Sequence, residues 1–292
     1  MVTLGPVGAY LPISFTRTPA AGQQRDAVRR LERAGYRTVW TNEVVGGKDA
    51  LVQLAVLLGA TERLTFGTGV ANIWAREPQT LHAAAAFLAD AYPDRLVLGV
   101  GIGYPQQAEG TGRDFGRPLA TLRGYVERMT AETAPPASDA KYPLVLGANG
   151  PKMLDLAAGI ADGALPVSLP PAFTAQARAT LGPGKLLVVG LTVVPEPDPA
   201  RAKAAAVERV TATLNLPAFA NALRRLGFAL DDVEGIADAV VAHGGPDAVA
   251  AKVREHLAAG ADHVLLMPPP ADDFGAGIAV LDRLAPALAD LG

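Results

Sequence analysis

The sequence contains no cysteine. That absence excludes a disulfide framework, a thiolate nucleophile and any zinc site built on sulfur. Histidine is scarce as well: His82, His243, His256 and His263 are the whole complement, far apart and without a His-x-x-x-His pair. A metal centre is therefore not expected. Net positive charge is missing too. The formal net charge is -3 and no Lys/Arg cluster alternates with aromatic residues, so nucleic acid is not expected as a partner. No apolar run approaches the roughly 18 to 20 residues of a membrane-spanning helix. The stretch Met1-Val2-Thr3-Leu4-Gly5-Pro6 lacks both a basic n-region and a long apolar h-region, so no signal peptide is expected, and a cytoplasmic location is.

What is present is ordinary globular composition, half hydrophobic and 19% charged, over 292 residues, enough for one large core and a single domain, 1–292. Apolar runs that read as strands alternate with segments of helical periodicity, which signals a parallel sheet with crossover helices. Strands are expected at 7–11, 38–41, 64–72, 95–103, 143–147, 163–167, 186–194 and 262–267. Helices are expected between them, at 23–34, from Asp49, from Pro78 to residue 91, at 119–133, 152–160, 172–181 and 246–259, with a closing helix at 277–291. The polar stretch after Gly103 reads as a loop. A long helical excursion over 199–243, broken near Asn215-Leu216-Pro217 and at Asp231-Asp232, is an insertion before the last strand. Eight strands with helices between them fit an α/β fold of the (β/α)8, or TIM, barrel type. An open doubly wound sheet would usually carry Gly-x-Gly-x-x-Gly after its first strand, and none stands there.

Barrels of this kind carry their chemistry just past the carboxyl ends of the strands. The most informative stretch is 64–103, where two apolar strands flank one helix and end in small, Gly-rich loops on which a flat cofactor can rest against backbone. The alternative is that these glycines only relieve close packing. Residues delivered to that edge include Asn42 and Glu43 after the second strand, Gly69, Val70 and Asn72 on the third, and Gly103, Tyr104 and Gln106 after the fourth. The fifth strand delivers Gly147-Ala148-Asn149-Gly150-Pro151-Lys152, whose free N–H groups and helix dipole suit a phosphate, with Lys152 adding charge. A plain turn capped by Asn149 is the other reading. Glu43 is a candidate proton donor or a solvated loop carboxylate. Tyr104 is a hydrogen-bond donor to a substrate carbonyl, a ring-stacking group or a packed rim aromatic. His82 reads as structural, His243 as the end of a helix, and no chemistry is assigned to His256 or His263.

Three motifs together carry a family resemblance: Gly67-Thr68-Gly69-Val70-Ala71-Asn72 followed by Ala75-Arg76-Glu77-Pro78, then Asp94-Arg95-Leu96-Val97-Leu98-Gly99-Val100-Gly101, then Leu146-Gly147-Ala148-Asn149-Gly150-Pro151-Lys152. Supporting matches are Leu181-Gly182-Pro183-Gly184, Leu223-Arg224-Arg225-Leu226-Gly227-Phe228 and Ala258-Ala259-Gly260-Ala261-Asp262-His263-Val264. Over essentially its whole length the chain resembles the bacterial luciferase-like flavin and deazaflavin oxidoreductases, and within them the actinobacterial coenzyme F420-dependent branch.

The resemblance implies a (β/α)8 barrel with insertions, a cofactor ring at the ends of the third and fourth strands, and a phosphate on the turn at 147–152. It also implies a non-prolyl cis peptide at Gly69-Val70 behind the ring. Asn42, Gly69, Val70, Asn72, Gly103, Gly147, Ala148, Asn149, Gly150 and Lys152 become the expected cofactor-binding residues, and Glu43 and Tyr104 the expected catalytic ones. The expected cofactor is coenzyme F420, with FMN the alternative, and the expected activity is hydride transfer between deazaflavin and a small organic substrate. Deazaflavin has carbon in place of the reactive N5 of flavin, so it transfers hydride and does not activate oxygen. An FMN-dependent luciferase-like monooxygenase is the first alternative, and a cofactor-binding protein without turnover the second. Lys48, Arg76, Arg113 and Lys152 are candidates to meet the anionic tail of the cofactor, and a homodimer is expected from the relatives. Two departures bear on the reaction: Glu43 is followed by Val44 where relatives often have His after an acid, and Tyr104 stands where sugar-phosphate dehydrogenase relatives carry Glu.

Overall fold

The computed structural model describes residues 2–14, 16–270 and 273–291; Met1, the first residue of the amino-terminal stretch discussed above, lies outside them. The chain runs β1 (Val7–Tyr10), α1 (Ala21–Arg33), β2 (Thr38–Thr41), α2 (Ala50–Leu58), β3 (Thr65–Thr68), β4 (Ala71–Asn72), α3 (Pro78–Ala91), β5 (Leu96–Gly101), α4 (Pro105–Glu109), α5 (Pro118–Met129) and β6 (Leu144–Gly147). It continues through α6 (Pro151–Ile160), β7 (Gly163–Leu165), α7 (Pro171–Leu181), β8 (Leu186–Val194), α8 (Pro199–Leu214), α9 (Pro217–Arg225), α10 (Val233–Val240), β9 (Val241–His243), α11 (Pro246–Ala258), β10 (His263–Met267) and α12 (Phe274–Leu288). The helices start where local chemistry starts them. Asp49 caps α2 by accepting from Val52 N at 3.0 Å, and proline opens α3, α5 and α6, where a missing N–H costs nothing.

All strand pairs in the barrel are parallel, in the order β10-β1-β2-β3-β5-β6-β7-β8, and β8 closes on β10 from His263↔Val188 to Met267↔Thr192. This is the closed (β/α)8 barrel expected from the strand count. Side chains alternate across its wall with period two. Tyr10, Trp40, Val97, Val145, Leu165, Val188 and Leu265 pack together inside it, while Ala9, Val39, Leu96, Leu98, Leu146, Val189 and Leu266 join the larger cluster beneath the helices. Gly67 has a steric reason in this interior: a Cβ there would lie 2.3 Å from the fully buried ring of Trp40.

The single strand expected at 64–72 is two, β3 and β4, with the cis Gly69-Val70 peptide lying between them. Gly67 pairs with Val97 and Ala71 with Val100, so four steps on one chain oppose three on the other, which is a β-bulge. The excursion over 199–243 breaks at the two expected places, and α10 restarts on Asp232, which accepts from Gly235 N at 2.9 Å. Its end is strand and not helix: β9 pairs in parallel with the overhanging end of β8, Thr192↔Val241 to Val194↔His243. His243 therefore sits on a strand and bonds Asp238 Oδ1 at 2.8 Å. The polar loop expected after Gly103 contains the short helix α4, and the closing helix begins at Phe274. Among the described residues no helix is long and apolar enough to cross a membrane.

Candidate cofactor site

The carboxyl edge of the barrel is organised by a buried corner. Glu43, 5% exposed, leaves β2 and accepts from Asn72 N at 2.7 Å, from Ala50 N at 3.2 Å and from the Arg76 guanidinium, which also reaches Asp49 Oδ2 at 2.6 Å. One carboxylate thus ties the ends of β2 and β4, the start of α2 and the loop before α3. Burial alone would lower the Arg76 pKa, but the Glu43 and Asp49 carboxylates outweigh it and raise it. Both Glu43 oxygens are engaged as acceptors and the side chain is buried, so it is not the solvated loop carboxylate of the alternative reading, and it ties the corner together.

Asn72 is likewise engaged: Oδ1 accepts from Trp74 N at 3.0 Å and Nδ2 donates to Gln107 Oε1 at 2.9 Å. Gln107 Oε1 also accepts from Tyr104 N at 2.8 Å, which joins the end of β5 to the end of β4. Gly103 lies beneath this bridge with φ +64°, and a Cβ there would lie 2.2 Å from Gln107 Oε1. That backbone conformation favours glycine, and a Cβ there would displace the Gln107 and Asn72 amides that form the bridge. Gln107, and not Gln106, is the residue that matters here; a helical reading of 105–109 would have pointed to it. Tyr104 stands at the start of α4 with half its surface exposed.

Between these bridges lies the bulge. Val70 is half-buried at the top of the barrel interior, and the Tyr10 hydroxyl donates to Gly69 O from within it. Burial pushes the Tyr10 pKa up, which keeps the hydroxyl a donor. Tyr10 is not among the residues singled out from the sequence; the structure places it inside the barrel.

Two strands along the wall, beside Val70, Gly147 ends β6, and Gly150 is the residue before α6, whose first position is Pro151. The first N–H groups of a helix have no intrahelical acceptor, so the turn offers donors to an anion. The alternative reading, a plain turn capped by Asn149, is not met: the residue before α6 is Gly150, which has no side chain with which to cap the helix. The Asn149 side chain instead accepts from Val167 N at 2.9 Å and donates to Val167 O at 3.3 Å, fixing the turn to the segment after β7. Ala148 is buried and bonds Leu165 O through its N–H at 3.2 Å, and Lys152 is exposed. Arg225 of α9 comes to the same turn, its Nη1 3.6 Å from where a Gly150 Cβ would stand. It entered the sequence reading only as part of a motif.

Three of the four cations expected to meet an anionic tail have other partners. Arg76 binds Glu43 and Asp49, Arg113 binds Glu77 at 2.7 Å, and Lys48 binds Asn42 Oδ1 at 2.8 Å. The remaining donors suit a flavin-like group with a phosphate: a bulged ledge backed by Val70, and a bare helix start flanked by Lys152 and Arg225.

A sequence profile of the luciferase-like monooxygenases matches residues 7–263. The chain belongs to this family. A protein named as a coenzyme F420-dependent oxidoreductase, Rv3520c of Mycobacterium tuberculosis, is 33% identical over 178 residues, which span 50% of this chain and 51% of that one. The chain thus matches about half the length of that curated relative. Among solved structures, the coenzyme F420-dependent tetrahydromethanopterin reductase of Methanopyrus kandleri has the same fold, with a TM-score of 0.75, 18% identity and coverage of 97% of this chain and 99% of that one. The fold is shared too by the oxygenating constituent of the 3,6-diketocamphane monooxygenase of Pseudomonas putida, solved with FMN, at a TM-score of 0.71, 14% identity and coverage of 97% and 96%. The luciferase-like family includes oxidoreductases and monooxygenases, and the barrel and the resemblance read from the sequence agree with it.

Proposed function

We propose that the chain is a coenzyme F420-dependent oxidoreductase that transfers hydride between deazaflavin and a small organic substrate. The observation that carries the reading is the β-bulge around Val70 lying beside the uncapped helix start at 147–152, where a Gly147 Cβ would be 3.5 Å from Val70 Cγ1, two supports close together on one barrel edge. The likeness to the mycobacterial relative favours F420 over FMN. Deazaflavin, when bound, supplies a hydride at a ring carbon. Val70 backs its ring, Gly103 leaves room at its edge, and the turn from Gly147 through Ala148, Asn149 and Gly150 holds its phosphate with Lys152, using backbone N–H groups other than that of Ala148, which Leu165 O occupies. Tyr104, half exposed beside the ledge, donates to the substrate oxygen, and Glu43 holds the corner on which the ledge rests. Assembly as a homodimer is part of the same proposal.

Two other readings have specific support. The likeness to a monooxygenase solved with FMN favours an FMN enzyme on the same barrel, and the full engagement of Glu43 favours a cofactor-binding protein without turnover. Spectrophotometric titration of the purified protein separates them. Saturable binding of F420 with weak or no binding of FMN is expected; saturation by FMN alone would overturn the F420 assignment, and binding of both without reduction of any carbonyl substrate would favour the third reading.

The phosphate turn has its own test. A Cβ at Gly147 would meet Val70 Cγ1 at an ordinary 3.5 Å, so Gly147→Asp fits the fold while setting a carboxylate near the anion. Its cofactor dissociation constant is expected to rise on the order of tenfold, about 1.4 kcal/mol. An unchanged constant removes the phosphate from this turn.

A further inference from the structure

Lys48 occupies a position that neither its sequence context nor the cofactor tail explains. Trp40 points into the barrel, so Asn42, two residues on, carries the inward alternation to the mouth, while Thr41 faces outward to α2. The intervening loop folds back as an antiparallel bridge, Val44 N to Lys48 O at 3.1 Å and Lys48 N to Val44 O at 2.9 Å. The Lys48 side chain is thereby returned to the strand end, where Nζ lies 2.8 Å from Asn42 Oδ1 and 3.1 Å from Thr41 Oγ1.

An ammonium donates and cannot accept, so it dictates which end of the Asn42 amide faces it. Oδ1 must turn to Lys48, and the amide N–H groups must turn away. The Thr41 hydroxyl, accepting from Lys48, donates to Gln53 Oε1 at 2.9 Å; Gln53 donates to Gln24, and Gln24 donates to Pro19 O at 2.7 Å. Every bond in this chain has one direction, running from the lysine to a backbone carbonyl, so no member can reverse without breaking a neighbour.

We propose that Lys48 is a positioning residue that holds Asn42 with its amide N–H groups toward the barrel mouth, where they donate to a carbonyl oxygen of the cofactor ring. The proposal rests on the cofactor reading above. It makes that reading dependent on one proton, because a neutral amine has a lone pair and no longer forces Oδ1 toward it. Burial lowers the Lys48 pKa to about 8, with the Glu43 carboxylate partly offsetting the shift. The other charged groups at this corner are Asp49, next in the chain, and Arg76, which pairs with Glu43 and Asp49. Below that value the orientation is imposed, and above it the amide is free to turn.

The test has two arms. In the cofactor-free protein, the side-chain amide signals of Asn42, identified by their loss in Asn42→Asp, are expected to shift with a midpoint near pH 8. In Lys48→Arg, whose charge persists, that midpoint is expected to vanish. In the second arm, F420 binding to the wild-type chain weakens as pH rises through 8, by about twofold if half the amides turn away. Lys48→Met is expected to bind about twofold more weakly at pH 6.5, and the two substitutions combined to bind no more weakly than Asn42→Leu alone. Amide signals that do not titrate, or that titrate equally in Lys48→Arg, overturn the orientation lock whatever binds. Signals that titrate in a protein binding neither F420 nor FMN overturn the function reading and the cofactor half of this proposal, with the Lys48–Asn42 coupling intact. Cofactor affinity that is flat with pH and additive losses in Lys48→Met and Asn42→Leu overturn the proposal while leaving the function reading standing.

Discussion

Lowering the pH from 7 to 5 is expected to cost the folded state about 4 kcal/mol through two buried histidines alone. His256 and His263 are both fully buried, and burial lowers both pKa values from 6.5 to about 4. His263 lies in the barrel floor, where Nδ1 meets Gly5 O at 2.6 Å and Nε2 meets the Thr38 hydroxyl at 2.9 Å. A carbonyl only accepts, so Nδ1 carries the proton and Nε2 accepts from Thr38. His256 bonds Thr174 Oγ1 at 2.8 Å through Nδ1, and its buried Nε2 has no partner among the described residues, so the doubly protonated ring would bury an N–H without an acceptor. In the unfolded chain both rings protonate near 6.5. The unfolded state therefore binds more protons at lower pH, and stability that is complete above 6.5 falls steadily as pH drops toward 4. Each group contributes about 2 kcal/mol of loss between pH 7 and 5, before most carboxylates titrate. Urea denaturation at the two pH values measures the total, and His256→Gln, which retains a partner for Thr174 and does not titrate, is expected to remove about half of the pH dependence. The same slope in that variant would show that His256 is not the group responsible.

Removal of the Arg76 guanidinium is expected to be comparably damaging at neutral pH. Glu43 and Arg76 have side chains 1% and 11% exposed, and the Glu43 carboxylate would keep only the backbone donors Ala50 and Asn72. Deleting one partner of a buried pair costs about 3 to 5 kcal/mol, chiefly from the charge left behind. Arg76→Met is accordingly expected to lower the unfolding free energy by that amount, and Arg29→Met, from the exposed pair with Asp26, by less than about 0.5 kcal/mol. The double variant Glu43→Gln, Arg76→Met is expected to be more stable than Arg76→Met alone, because it removes the orphaned charge. A double variant that is as unstable as the sum of its parts would place the cost in lost packing and not in electrostatics.

The outcome for Glu43 shows where reading a chain of residues stops. Its place after β2 was legible, because an apolar run followed by polar residues marks a strand end. Its partner was not, since Arg76 lies 33 positions away and meets it only when β2 and β4 are aligned in the barrel wall. The same holds for Asn72 and Gln107, 35 positions apart. Lys48 was read as a rim cation because a lone lysine in a Gly-rich loop gives no sign that the loop folds back on its own strand. Val241-Ala242-His243 was read as helix, since a short apolar run after a helical one fits either period until a pairing partner is known.

The sequence by itself determined the alternation of strands and helices, hence the barrel, and the small-residue motifs that carry the family resemblance, which in turn implies the bulge at Gly69-Val70. The alternation and the motifs are local signals: period, punctuation by glycine and proline, and runs of fixed spacing. Only the tertiary structure decided which polar side chains are held by the protein itself, as Glu43, Asn72 and Asn149 are. Hydrogen-bond capacity is finite, and how it is divided depends on neighbours brought close by the closed sheet.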